Sequence, residues 1–266
     1  MAALDTMLAT EAEKEAAGST VRALDRALDI LTVLGTADHP IGLTEVSRAA
    51  SLHMTTAQRL LNVLERRKFV ERVRGRYQLG PALVPLSRAF LSTNSLTRSA
   101  LPVQEELVAI TGETASLYVR QGFERIMLQR VESPNQLRYV VRVGERFPLA
   151  TGSSGQVLAA GMPAAELEAF LAQAPEVRFA SGRVLSKDEM RARIERVKQR
   201  GFAVGRNERT AGVASIAAPV LGPDGETIAA VVVTGPVSRL SEDRVAELSI
   251  EVRRAAGEIS RRYRSM

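Results

Sequence analysis

Between residues 43 and 80 the chain sets a short helix pattern, a break, a longer helix pattern and a glycine-turned hairpin in immediate succession, and few folds accept that order. Thr44 is placed to cap a short helix to about Ala50, with Val46 and Ala49 inward. Ser51-Leu52-His53 reads as a tight turn. A longer helix follows to about Lys68, with Ala57, Leu60, Leu61 and Leu64 on one face at helical spacing. Phe69–Val73 and Arg76–Leu79 read as strands joined by Arg74-Gly75, where glycine supplies a positive φ. Upstream, Val21, Leu24, Leu28 and Leu31 mark a first helix, widened by Ala27 and Leu34, with Ser19 or Thr20 at its start and Gly35 at its end. Three helices and a hairpin make a winged helix-turn-helix, mainly α with a β-hairpin wing.

Gly80-Pro81 closes that unit. Helices are expected at 82–93 and 97–110, with Gly112 just beyond the second. The chain then alternates. Strands are expected at 114–120, 125–131 and 138–143, and helices at 153–161, 163–172 and 186–200. Further strands are expected at 202–205, 213–220 and 227–234, then a last helix from Ser241 to about Arg262. That order predicts an α+β domain. The organisation expected is an arm at 1–18, the winged unit at 19–80, a linker helix at 81–96 and the α+β domain at 97–266.

Composition removes several functions. The 266 residues include no cysteine, so thiolate zinc sites, thiol nucleophiles and disulfides are excluded. Two histidines, His39 and His53, leave little for histidine metal or triad chemistry. No apolar run is long enough to span a membrane, and the N-terminus lacks the layout of a secretory signal, which predicts a cytoplasmic protein with no membrane partner. Gly152-Ser153-Ser154-Gly155 lacks the spacing of a nucleophile elbow, and no Gly-rich phosphate loop occurs. The expectation is no enzyme, no metal and no cofactor. An enzyme of unknown type and a ligand-independent architectural DNA-binder are the alternatives.

The net charge of +6 suggests an anionic partner, and its distribution says more. Residues 1–20 carry four acids against Lys14 alone, whereas residues 66–76 carry Arg66, Arg67, Lys68, Arg72, Arg74 and Arg76 against Glu71. A cationic patch on a wing suits duplex phosphates, although a solvated charge run is the ordinary alternative. The start of the longer helix would face base edges with His53, Met54, Thr55, Thr56, Gln58 and Arg59. Arginine forks onto guanine and glutamine onto adenine. His53 as an exposed turn residue and Met54 as a packing residue are equally open. Arg72, Arg74 and Arg76 would hold phosphates or probe the minor groove.

Longer stretches resemble the IclR family of bacterial transcription regulators. Val21–Leu31 looks like its opening helix, Leu43–Val46 and Thr55–Leu61 like its helix-turn-helix, and Gly75–Gly80 like its wing. Gly112–Leu117, Arg130–Ser133, Val143–Leu149 and Gly212–Val220 are similar to its C-terminal segments, and Thr234-Gly235-Pro236 stands where the family has Ser-Gly-Pro. The resemblance implies a GAF-like effector-binding and oligomerisation domain at 97–266. It also implies homodimers that pair into dimers of dimers on double-stranded operator DNA, with repression slightly favoured over activation. It implies a small-acid site at Thr151, Gly152, Ser153, Ser154 and Gly155. Backbone N–H groups at a helix start hold carboxylates well, with ordinary capping by Thr151 or Ser153 as the alternative. Ser215 and Thr234 would floor the site, and Tyr139 would wall it or simply sit half-buried on a strand. Ser215 replaces a common cysteine, Gly205 an acid of some relatives and Val232 a serine. On that basis the pocket should be roomier and less polar, suiting an aromatic acid.

Overall fold

The computed structural model describes residues 21–266. The expected arm at 1–18 and the caps Ser19 and Thr20 lie outside the described residues. The chain divides into two compact units at Phe90/Leu91.

The first unit opens with helix α1 (residues 21–36), which runs through Gly35 instead of ending there. Helices α2 (Leu43–Ala49) and α3 (Met54–Arg66) follow, then strands β1 (Val70–Val73) and β2 (Arg76–Leu79). The cap of α2 is Gly42, not Thr44. Its N–H donates to the Glu45 carboxylate at 2.8 Å, so a side chain three residues on satisfies an orphan donor of the helix start. Ala49 lies exposed. Ile30, Leu34, Ile41, Val46, Leu61, Leu64, Val70 and Tyr77 form the core. Ser51 at φ 54° makes the turn between α2 and α3, and the buried Ser47 hydroxyl donates to the Leu52 carbonyl at 2.5 Å to hold it. Arg74 and Gly75 both have positive φ, the geometry that keeps a two-residue hairpin on the strand twist. Ile41 adds a bridge beside Tyr77, exchanging backbone hydrogen bonds at 3.0 and 2.7 Å.

Helix α4 (Leu83–Thr93) buries none of its residues, and α5 (Ser95–Thr111) is capped by the Asn94 side chain. The second unit is built on the strands β3 (Thr114–Gln121), β4 (Glu124–Val131), β5 (Arg146–Pro148), β8 (Ala203–Arg206), β9 (Val213–Leu221) and β10 (Thr227–Pro236). They form one antiparallel sheet in the order β5-β4-β3-β10-β9-β8. The expected strand at 138–143 is irregular chain. Its Val141 is buried, but the pairing strand is β5, after the Gly144 turn. A two-residue pair, β6 (Val177–Arg178) and β7 (Val184–Leu185), was not anticipated; it is too short to show a period.

Strand alternation sorts the side chains. Leu117, Ile216, Val231 and Val233 face α5 and the last helix, α9 (Glu242–Arg264). Tyr118, Met127, Ala217 and Val232 face α6 (Gly152–Ala160), α7 (Ala164–Gln173) and α8 (Lys187–Arg200). The result is an α+β domain with helices on both faces of one sheet.

Candidate nucleic-acid interface and ligand pocket

On the winged unit, His53 is the N-cap of α3, and His53, Thr55 and Arg59 are exposed while Thr56 is half-buried. Gln58 is placed differently. Its amide donates to Asn62 Oδ1 at 2.8 Å and to the Tyr77 hydroxyl at 3.1 Å, so it ties α3 to the wing. Arg76 is also engaged, donating to Glu45 at 2.8 Å and to the Pro40 carbonyl at 2.7 Å. Arg72 lies over the Tyr77 ring at 5.6 Å, and Arg74 is exposed at the hairpin tip. Of the expected residues, Thr55, Arg59 and Arg74 are the least engaged. Arg48, exposed on α2 beside Ser51 and His53 in a surface groove, escaped the sequence reading because it sits outside the longer helix. The Gly42 N–H, and then Arg76 nearby, hold the Glu45 carboxyl below its ordinary range.

In the second unit a cavity of about 60 Å³ opens between the start of α6 and the sheet, several times the space one water needs. Eight expected residues line it: Tyr139, Gly152, Ser153, Ser154, Gly205, Ser215, Val232 and Thr234. Thr151 and Gly155 do not. A side chain at Gly155 would meet the Leu149 carbonyl at 2.1 Å, so this glycine lets α6 pack against the chain before it. Thr151 is the N-cap residue, yet its hydroxyl is buried and bonds to nothing.

The floor of the pocket is a register row. Gly205, Ser215, Thr234 and Thr114 are direct neighbours across β8, β9, β10 and β3. The Ser153 hydroxyl donates to Ser215 Oγ at 2.7 Å, joining α6 to that row.

Three charged groups that sequence reading missed complete the site. Glu208 is buried and accepts from the Gly152 N–H at 2.6 Å while pairing with Arg193 of α8. An internal carboxylate therefore already sits at the positive end of α6. Glu208 Oε1 also lies 3.3 Å from where a side chain at Gly205 would begin. The expectation of a roomier, less polar pocket is thus corrected: Glu208 reaches in from the following loop and fills the space left by Gly205. Arg209 lies at the mouth, 3.5 Å from the centre of the Phe147 ring, and donates to the Tyr139 hydroxyl at 2.9 Å.

Arg125 is the third. It is only 2% exposed, donates to the Pro148 carbonyl, and packs beneath Gly152. Its Nε bonds to nothing, and no carboxylate pairs with it among the described residues. Burial lowers its pKa to about 10, so it is still a cation at neutral pH. Glu208, already paired with Arg193, favours its charge only through space, and a buried guanidinium with no carboxylate in contact is costly unless something anionic joins it. Arg125 shares the inward face of β4 with Met127, and that alternation was the signal available in the sequence. Glu208 lies in a loop and had none. Tyr118 lines the pocket beside Arg125, its hydroxyl pKa raised by burial to about 12, so it remains a neutral donor.

Among the described residues no helix is long and apolar enough to cross a membrane, and no cluster of acids and histidines is suited to a metal. Residues 23–74 match the model of the IclR helix-turn-helix domain, and residues 88–261 that of the bacterial transcriptional regulator IclR C-terminal domain. The chain is similar to the HTH-type transcriptional regulator BhcR of Paracoccus denitrificans, 30% identical over 90% of this chain and 86% of that one. It is similar to the HTH-type transcriptional repressor AllR of Salmonella typhi, 27% identical over 90% of this chain and 89% of that one. Its fold is like that of an IclR transcriptional regulator from Silicibacter sp., with a TM-score of 0.82 at 27% identity over 91% and 96% of the two chains.

Proposed function

Because the chain belongs to the IclR family of bacterial transcriptional regulators, we propose that it binds operator DNA as a homodimer and that a small carboxylate seated on Arg125 modulates that binding. The family fixes the coarser statement: the chain is a transcription regulator with a DNA-binding helix-turn-helix domain and an effector domain, not an enzyme. The observation that carries the finer one is the buried Arg125, a cation with no carboxylate in contact among the described residues, lining a pocket that also presents several hydroxyls. The α6 N-terminus does not do this alone, since Glu208 occupies its first N–H.

On the DNA side, Arg59 and Thr55 read base edges while Arg74, Arg72 and Arg48 hold phosphates. His53 and Thr56 flank them. Gln58 and Arg76 brace α3 and the wing instead of touching bases. Exposed Val84, Leu86, Phe90 and Leu91 on α4, a helix with no buried residue, support a homodimer. Pairing of dimers into tetramers follows from family resemblance alone. Repression is the favoured sense, on the likeness to the AllR repressor. Effector binding would alter the spacing of two half-sites through α4 and α5, by no more than its difference in affinity for the two arrangements.

The test is a thermal-shift screen of the full chain against aliphatic and aromatic carboxylates, with Arg125→Met alongside. At 100 times its dissociation constant a ligand should add about 2.7 kcal/mol of stability. The reading predicts a hit that Arg125→Met abolishes. A hit that persists in that variant would remove Arg125 from the site.

A further inference from the structure

Gly112, Glu113 and Ser133 belong to stretches that carry the family resemblance, yet none of them lines the pocket. They meet one another instead. Gly112 ends α5 in the left-handed conformation, and its carbonyl accepts from the Ser133 hydroxyl at 2.6 Å and from Asn135 Nδ2 at 2.9 Å. Both lone pairs of that oxygen are thereby taken by one segment. Glu113 follows, 3% exposed, and the Arg239 guanidinium forks onto it, with Nη2 to Oε2 at 2.8 Å. Gly235 leaves the room, since a side chain there would meet that carboxylate at 2.5 Å. Arg239 Nη2 also donates to the Leu137 carbonyl at 2.9 Å. Two consecutive residues at the end of α5 are therefore tied to the chain at 133–137.

That chain is neither helix nor strand, and it continues into a wall of the pocket. Tyr139 lines the cavity, and with Val141 it lines a smaller chamber alongside. Its hydroxyl accepts from Arg209 at 2.9 Å and from Thr210 at 3.3 Å. The far end of the segment is held by β4. A bulge there, one extra residue between the pairs Tyr118–Met127 and Leu117–Gln129, sets Arg130 opposite Ser116, and Arg130 donates to the Val141 carbonyl. Leu137 and Tyr139 are two residues apart, at most about 7 Å of chain. Little slack lies between the pocket wall and the Arg239 tie.

We propose that Arg239 and Asn135 are positioning residues that carry the state of the pocket wall to α5. This rests on the reading that pocket and duplex are coupled, and it names where the coupling leaves the pocket. One stretch of chain, α4 and then α5, joins the winged unit to the rest. A ligand that shifts Tyr139 moves Leu137, and with it the end of α5. A ligand that leaves Tyr139 in place binds without effect on DNA, because only differential contact with two arrangements moves an equilibrium.

The experiment measures each affinity alone and both together. The full chain is titrated with benzoate and with pyruvate, with and without a duplex selected from random sequence. In the wild type at least one acid should shift the duplex dissociation constant about fivefold or more. Glu113→Gln combined with Arg239→Met leaves no buried carboxylate alone. That double variant should hold acid and duplex affinities within about threefold of wild type while bringing the shift to within about twofold of none. Ser133 still holds Gly112 in Asn135→Ala, so this milder variant should reduce the shift without abolishing it. Melting temperatures check that both fold. Hydrogen exchange at residues 133–143 reads the same tie with no acid present. Duplex should change that exchange in the wild type and leave it unaltered in the double variant. A full wild-type shift in both variants would overturn the inference and leave the coupling standing. Loss of acid binding from the double variant would also overturn it, since the ties would then only build the pocket. An acid that binds the wild type with no shift would overturn the coupling and the inference together. If neither acid binds, the carboxylate reading fails and the exchange decides the inference: segment 133–143 unmoved by duplex in the wild type would sink it.

Discussion

At residue scale the account turns on which buried charges have a partner in contact. Glu208 has Arg193 and an α6 N–H; among the described residues no acid touches Arg125. Carboxylates ionise near pH 4 and Arg125 loses its proton near pH 10, so effector affinity should be flat from about pH 6 to 8. It should fall as pH rises through 10, because the cation is lost. Titrating one acid across pH 6–10.5 checks this. A steady change between pH 6 and 8 would point to another titrating group. Exposed arginines make a separate prediction. Arg59→Ala should cost about 1–3 kcal/mol and blur base preference, whereas Arg74→Ala should weaken all duplexes alike and lower the salt slope by about one. Competition binding at several salt concentrations separates them. The hydroxyl and glycine positions of the pocket came from the family resemblance, and the register row across β8, β9 and β10 brings Gly205, Ser215 and Thr234 side by side. Glu208 was not legible, since a loop carries it. The bond of Gln58 to the Tyr77 hydroxyl was not legible, because a helix pattern does not disclose what lies behind it.

At element scale, close approach explains what the patterns left out. A side chain at Gly80 would meet the Lys68 carbonyl at 2.3 Å, where the chain leaves the wing against the end of α3. Gly80→Ala should therefore destabilise the winged unit by about 1–3 kcal/mol. Scanning calorimetry should show one transition lowered while carboxylate binding by the second unit persists. Most helices and long strands were legible because their apolar periods run for several turns or pairs. The starts of α8 and α9 follow from the caps Ser186 and Ser241, local features that a sequence carries openly. The segment at 138–143 misled because Tyr139 and Val141 alternate as a strand would, yet they cover pockets instead of pairing. The bulge in β4 leaves no mark in the sequence, as one inserted residue changes the partner's register and not the local pattern.

At the scale of the whole molecule, the proposed homodimer rests on the exposed apolar face of α4. Phe90→Glu on α4 should shift the protein toward monomer in sedimentation and weaken operator binding more than it weakens carboxylate binding, since the pocket lies wholly within the second unit. The central claim is that the carboxylate and DNA sites are coupled. Coupling energies of about 1–3 kcal/mol change an affinity roughly 5- to 150-fold, and the effect is reciprocal. The direct measurement is the dissociation constant for a duplex selected from random sequence on the full chain, taken with and without a saturating acid from the screen. The account predicts a change of at least about fivefold, with the acid's own affinity altered by the same factor when the duplex is bound. The same dissociation constant in both conditions, with the pocket demonstrably filled, would contradict it.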